Sequence, residues 1–455
     1  MLEVSQPPCN TQTTYTAYPC LKGESVSTKS KKLRFAGVAA TAAILLSGCS
    51  AANSATDGKT EIVFSYLWGG AEGDALAALV DDFNASQDEI VVKGVSSPDV
   101  QKQLTQMSSS KGAFDISDNF GYATASLASK GVLEPLDEYI ERDGYDLSDF
   151  IAPAMEQAVY DGKTYAIPLG VHTHQLMYNK TLFAEAGIEA PPTTIEEWAE
   201  MIPKLTKTDE SGKITQLGYG QVDAPRSFMS LAFMMGGSFW GEGEESPAPN
   251  NAGTKAALDF YYDNVIEPYG AENVQTFMSG FGELYSPEHP FYTGQIAMHI
   301  DGANQVTTIE QLAPDLDYGV VPIPHPEAHP ERAGTSEITN STYFIPSNSK
   351  HKEEAWEFMK YLLDNETLGQ FTKAISNLPA RESLASDPIY ADLPEQYQVF
   401  ADSLSSKNLH SIPAVPWAAE YRADVRLELD KINTGRGTTE EVLTALEERA
   451  EKYGK

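Results

Sequence analysis

From Glu61 onward the apolar residues change period repeatedly, and this alternation restricts the fold more than any other feature. Glu61 to Leu67 alternates and is rich in Ile, Val, Phe and Tyr, the pattern of a strand, whereas Glu72 to Asn84 repeats Leu76, Leu79, Val80 and Phe83 at helical spacing. Ile90 to Val95 reads as another strand. After a polar stretch, Phe114-Asp-Ile-Ser-Asp-Asn119 reads as a short strand ending in polar residues, and Ala123 to Lys130 as an amphipathic helix. Strand, helix, strand, helix predicts an α/β fold with a mostly parallel sheet, because parallel neighbours need a crossover and a helix is the usual one.

The later chain keeps this grammar. Asp161-Gly162-Lys163 after Tyr160 predicts a hairpin turn, followed by Tyr165 to Leu169 and then His172 to Asn179 as one alternating strand. Thr194 with Glu197 forms a capping box that opens a helix through Leu205, and Thr438 with Glu441 caps the last helix. Between them come an aromatic, glycine-rich stretch from Phe228 to Gly243, a helix near Thr254 to Asp263, and strands at Ile296 to Ile300 and Tyr318 to Ile323. Pro322, Pro324, Pro326 and Pro330 mark a rigid crossing segment, and the strand Thr342 to Ile345 leads into a helix from Lys352 to Leu363. No repeat of fixed period is present.

The N-terminal region has a different character. Lys29, Lys31, Lys32 and Arg34 precede an apolar run from Phe35 to Leu46, and Ser47, Gly48 and Cys49 follow it, which is the order of an export signal. A run of twelve residues falls short of the roughly 20 that a spanning helix needs. Leu46-Ser-Gly-Cys49 resembles the lipobox of bacterial lipoproteins, which implies diacylation of Cys49 and removal of residues 1–48. The rest of the chain is then held by its lipid on the outer face of the bacterial cell membrane. Residues 1–25, with Pro7, Pro8, Cys9 and Cys20 ahead of the basic patch, are expected to reflect a misassigned start, with translation beginning near Val26. Ala51 to Lys59 is small and polar, so 49–59 reads as a flexible stalk.

Cleavage before Cys49 leaves 407 residues with 27 basic and 63 acidic side chains, a net charge of −36. Such a body repels phosphate backbones, so nucleic acid is not an expected partner, and the acidity serves solubility. No cysteine follows Cys49. Disulfides and cysteine-based metal sites are thereby excluded from the body, which must rely on buried apolar area in two or more cores.

Seven phrases of this chain, in order, resemble the family 1 extracellular solute-binding proteins of ATP-driven (ABC) importers, the group that contains the maltose-binding type of sugar receptor. They are YLWGGAEGDALAALVDDFNAS, FDISDNFGYATASLASKGVLEPL, DGKTYAIPLG, LMYNKTLFAEAGIEAPPTTIEEW, FYTGQIAMHIDG, IPSNSKHKEEAWEFMKYL and LPAR. The resemblance implies a two-lobed periplasmic-binding-protein-like fold of type II, with a hinge between the lobes and the ligand in the cleft. On this basis residues 60–169 and 334–375 are expected to form one lobe, and 170–333 and 376–455 the other. It further implies a monomer that takes up a carbohydrate, an oligosaccharide by preference, and hands it to transmembrane permease subunits. No cofactor is expected.

A sugar offers apolar C–H faces and a rim of hydroxyls, so its cleft needs flat aromatic surfaces edged by carboxylates and amides. In open α/β sheets the residues just beyond the strand ends are the ones to search. Trp68 follows the first strand, and Asp118, Asn119 and Tyr122 follow the short strand. His172 and His174 are expected on one face of the crossover strand, as neutral hydrogen-bonding groups and not as a metal pair. Phe239 and Trp240 lie where the maltose-binding type places aromatics of its second lobe. Asp301 and Asn304 follow the strand ending at Ile300, and Asn340 and Ser341 precede the return strand, with Glu337 a weaker candidate. Trp417 matches the late helix that presents a stacking Trp in maltose-type receptors, and is the strongest candidate.

Enzymatic constellations are thin. Ser238, within Gly236-Gly-Ser-Phe-Trp240, misses the second glycine of a nucleophile elbow. His325-Pro-Glu327-Ala-His329 has the wrong spacing for a zinc helix and contains a proline, and Gly241-Glu-Gly243 lacks the third glycine of a dinucleotide site. A glycosidase, whose two carboxylates come from distant positions, stays open as an alternative, as does a receptor for a peptide, polyamine or other non-sugar solute.

Overall fold

The computed structural model describes residues 58–110, 112–221, 224–241, 246–281 and 286–454. Cys49, the leader and the stalk up to residue 57 lie outside the described residues. Strand β1 (Thr60–Tyr66) turns Ile62, Phe64 and Tyr66 inward. Helix α1 (Gly70–Ser86) follows it and buries Leu76, Leu79, Val80 and Phe83, the stripe that the spacing predicts. Strands β2 (Ile90–Ser96) and β3 (Ile116–Phe120) flank β1 on either side, both parallel to it.

Beyond these three strands the sheet is mixed, which corrects the expectation of a mostly parallel one. Strands β4 (Val159–Tyr160) and β5 (Lys163–Thr164) form the expected hairpin, with Asp161 at φ +48° and Gly162 at φ +72°, the two left-handed positions of a type I′ turn. Strand β6 (Ile167–His172) enters the large sheet and β7 (His174–Asn179) a small one, while β8 (Lys207–Thr208) and β9 (Ile214–Gln216) make a separate short hairpin. Next come β10 (Met298–Gly302), β11 (Tyr318–Val321), β12 (Ser336–Phe344), β13 (Leu378–Pro379) and β14 (Leu409–Ser411). The large sheet has the order β13-β6-β12-β3-β1-β2, with β14 beside the start of β12. Strand β12 is antiparallel to both β3 and β6. The small sheet, β10-β7-β11, is antiparallel throughout. Local periodicity identifies strands, but the direction of β12 beside β3 depends on how a distant segment re-enters.

Thr173 interrupts the single strand expected over His172 to Asn179, and the chain crosses there from one sheet to the other. His172 therefore ends β6 while His174 begins β7, and the two do not share a face of one strand. Each sheet carries a core. One surrounds Ile62, Phe64, Tyr343, Trp356 and Phe358, and the other surrounds Trp198, Tyr219, Phe228, Tyr261 and Tyr421. These make the two lobes. Both predicted capping boxes are present, Thr194 with Glu197 and Thr438 with Glu441, each satisfying orphan N–H groups at a helix start. The buried residues from Leu378 to Ala401 join the first core and not the second, because Leu378 and Pro379 pair with β6. The stretch from Phe228 to Gly243 begins as helix, since α2 (Ala224–Met234) runs through Met234 in the second lobe. Helix α3 (Ala418–Asn433) packs against α2 in the same lobe.

Candidate functional site

Trp68 stands just beyond the end of β1, half-buried, with its ring edge-on to Phe371 at 5.7 Å. Its indole N–H donates to Asp118 Oδ2 at 2.6 Å, and the Leu67 backbone N–H donates to Asp118 Oδ1 at 2.8 Å. The buried Asp118 is thus committed to orienting Trp68. Burial pushes its carboxyl up to about 7, more than the bonds from Leu67 and Trp68 lower it. Asn119 is buried beside it and also works inwardly, donating to Gln103 Oε1 at 2.7 Å and accepting from its neighbour Phe120 N–H at 2.7 Å. This contrasts with the ligand contact expected of Asn119, because the amide is used by the sheet interior.

Two arginines that sequence reasoning did not select organise the crevice between the lobes. Arg226, on α2, lies 3.3 Å from Asp301 Oδ1 at the end of β10. Its charge reaches Glu72 in the first turn of α1 of the other lobe, whose carboxyl is nonetheless pushed up to about 7 by burial. Arg422, on α3, lies 3.8 Å from Glu337 Oε2, which is 3.8 Å from His174 Nδ1, and its guanidinium sits 4.9 Å from the centre of the Tyr122 ring. Ser230 Oγ is 3.4 Å from His174 Nδ1. Burial, reinforced by Arg226, drives His172 down to about 3 and His174 well below the ordinary range. Both histidines are therefore neutral polar groups at neutral pH. Among the described residues no group of three or more His, Cys, Asp or Glu is placed to hold a metal ion.

Tyr122 reaches from the first lobe to pack against the second core, and the Phe120 ring is stacked on it, centroids 5.3 Å apart and planes within 5° of parallel. Gly121 between them has no room for a side chain, since a Cβ there would sit 1.7 Å from Asn340 Oδ1. Asn340 is accordingly a structural residue, wedged behind Gly121 with its amide donating to Ala154 O at 2.7 Å. Ser341, buried on β12, lies 3.5 Å from His172 Nε2 and so borders the crossing.

Phe239 is fully buried and contributes only core packing and a backbone carbonyl, which accepts from Tyr421 Oη at 3.1 Å. It does not act as a cleft aromatic, because the turn after α2 points it inward. Trp240 is nearly buried, edge-on to Tyr421 at 5.3 Å and 5.8 Å from Trp417. Trp417 keeps a partly exposed face at the N-terminal end of α3, the helix that carries Arg422. Asn304 is partly exposed at the start of the helix Gln305–Leu312.

The crevice thus gathers Trp68, Glu72, Tyr122, His172, His174, Asp301, Ser341 and Glu337 with Phe120, Arg226, Ser230 and Arg422. A sequence signal for the arginines exists in hindsight. Arg226 is a lone charge opening an apolar run, Pro225-Arg-Ser-Phe-Met-Ser-Leu-Ala-Phe233.

Residues 68–368 match the model of the family described as bacterial extracellular solute-binding protein. Similar proteins include a putative binding protein of Brucella abortus, 28% identical over 69% of this chain and 73% of that protein. A diacetylchitobiose binding protein of Streptomyces coelicolor is 26% identical over 70% of this chain and 73% of its own length. The mannotriose-bound structure of CpMnBP1 superposes with a TM-score of 0.75 at 26% identity, covering 86% of this chain and all of that one.

Proposed function

We propose, since the chain belongs to the bacterial extracellular solute-binding proteins, that it captures an oligosaccharide between its lobes and delivers it to the permease of an ABC importer. The observation that carries this reading is the crevice itself, where the half-buried Trp68 and the stacked Phe120–Tyr122 pair stand beside carboxylates, hydroxyls and neutral histidines. That is the complement of a sugar ring with its C–H face and hydroxyl rim. Closing two lobes on a ligand is a hinge motion, and the strand crossing at Thr173 and the long strand β12 are the segments about which the lobes turn. Relatives that bind diacetylchitobiose and mannotriose support the same ligand class.

A cationic ligand such as a polyamine is disfavoured by the same geometry. Asp118 is committed to Trp68, Asp301 to Arg226 and Glu337 to Arg422, so the acidic groups such a ligand would need are already engaged. The family is one of binding proteins, and we read this member as a binder without catalytic activity.

The remaining assignments follow as part of this proposal. Cys49 carries the lipid after removal of residues 1–48, residues 49–59 are a stalk, and the protein works as a monomer on the outer face of the cell membrane. The lobes exchange near residues 169 and 333, and the last exchange comes after Ala401, since the buried residues from Leu378 to Ala401 belong to the first core. The test is thermal-shift and calorimetric screening of the soluble body against mannotriose, maltotriose, diacetylchitobiose, peptides and polyamines. A ligand at 100 times its dissociation constant adds about 2.7 kcal/mol of stability. Stabilisation by sugars that are recovered uncut is the expected result. Stabilisation by polyamines or peptides alone, or cleavage of the sugar, overturns the reading.

A further inference from the structure

We propose that Lys130 of the first lobe and Glu420 of the second form a latch, an ion pair that exists only while the lobes are shut and so slows the escape of a bound sugar. The inference rests on the carbohydrate reading for its ligand, but the latch itself is made by the protein alone.

Each partner is anchored in its own lobe. The helix Thr124–Ser129 buries Leu127 and Ala128 among Met107, Phe114 and Phe344, and Lys130 caps its end. Lys130 Nζ donates to Ser126 Oγ at 3.0 Å, so the side chain is held along its own helix. Glu420 lies in the first turn of α3, where the helix N-terminus favours a carboxylate, and Ala418 and Tyr421 on either side of it are fixed in the second core. Between these anchors Lys130 Nζ stands 3.9 Å from Glu420 Oε1. The lobes meet here over more than two charges. Helix α3 packs against Gly121–Ala123 and Thr124–Ser129, and the Arg422 guanidinium, two residues on from Glu420, covers the Tyr122 ring.

An exposed ion pair contributes little to folding, and this one is open to water, with the Lys130 side chain 46% and the Glu420 side chain 66% exposed. Its leverage lies in the hinge motion. Each partner belongs to a folded lobe whether or not the lobes meet, so parting the lobes breaks the pair without unfolding anything. Its whole free energy therefore falls on the balance between open and shut. The chain carries 65 acidic and 32 basic residues, an excess that both lobes share, so the lobes repel each other on approach. A lysine fixed at the seam sets an attraction against that repulsion. A neutral sugar is not steered by this pair as it enters. The pair acts on release, because a ligand held between the lobes leaves only when they part.

Lys130→Glu, Glu420→Lys and the double reversal test this, with release of maltotriose, mannotriose and diacetylchitobiose followed by stopped-flow tryptophan fluorescence at low salt and melting temperatures as the folding control. Each single reversal is expected to raise the dissociation rate about two- to fivefold with the association rate unchanged, and the double reversal to restore the wild-type rate. In about 1 M salt, where charges are screened beyond roughly 3 Å, all four proteins should release the sugar alike. Single reversals that leave release unchanged, or a double reversal no slower than the singles, overturn the latch while sparing the carbohydrate reading. If the wild-type protein binds none of the three sugars, the carbohydrate reading falls and the free protein decides the latch. No cysteine follows Cys49, so Lys130→Cys with Glu420→Cys places two thiols in a body otherwise without them, and a short bismaleimide should join them in the folded, sugar-free protein. Absence of that crosslink overturns the latch.

Discussion

Replacing Arg422 with Met removes the cation from a buried arrangement while keeping most of the side-chain volume. Arg422 is 17% exposed and Glu337 fully buried, with 3.8 Å between Nη2 and Oε2. At an effective dielectric constant of about 20, charges at that separation attract by about 4 kcal/mol. Breaking a buried pair by deleting one partner typically costs about 3–5 kcal/mol, because the remaining charge stays desolvated. His174, 3.8 Å from the same carboxylate, cannot replace the arginine, since burial keeps it neutral. The two estimates agree on about 4 kcal/mol, which for a body of about 400 residues lowers the melting temperature by about 5 °C. Urea unfolding followed by circular dichroism at neutral pH measures it. In the Glu337→Gln background the same arginine substitution should cost little, because no buried charge is orphaned. A loss under about 1 kcal/mol in the single variant, or an equal loss in both backgrounds, refutes the pairing as the source of stability.

Three further outcomes are expected. Gly121→Ala places a methyl 1.7 Å from Asn340 Oδ1 and 2.6 Å from Gln157 Oε1, and should destabilise by about 1–3 kcal/mol or more; an unchanged denaturation midpoint contradicts the packing described. His172, His289 and His299 are pushed down to about 3 by burial, and His174 and His410 are also lowered, so the stability they lend is present above the unfolded value of about 6.5 and lost as pH falls from there toward 3. Glu72 and Asp118, raised to about 7, act in the opposite sense, but five groups outweigh two, so urea midpoints should fall on acidification below about 6.5. A midpoint that rises between about pH 7.5 and 5.5 shows the carboxylates in control. We propose that the partly exposed face of Trp417, on the helix that carries Arg422, extends the crevice, so Trp417→Ala should weaken sugar binding by more than about tenfold in calorimetry; unchanged affinity with intact folding removes Trp417 from the site.

Local pattern made part of this molecule legible. The inward face of β1, the α1 stripe, the Asp161-Gly162 turn and both capping boxes depend on residues within a few positions of one another, so a reading of neighbours suffices. Trp68 and Tyr122 can be placed at the crevice for the same reason, because each follows directly on a strand end. Asn119, Asn340 and Phe239 were not separable from them by sequence, since whether a polar or aromatic group faces the crevice or the interior depends on what packs behind it. Arg226 and Arg422 were missed because their meaning lies in Asp301 and Glu337, which the chain supplies from far away.

What the sequence determined alone is many of the strands and helices, the two capped helix starts, the class of fold and the family. The tertiary structure alone decided the antiparallel entry of β12, the break at Thr173 that parts His172 from His174, and the pairing of Asp301 with Arg226 and of Glu337 with Arg422. The physical reason is range: side-chain period and backbone capping act over one turn or one pleat, whereas burial, which sets both strand direction and the cost of a charge, is a property of everything that closes around a residue.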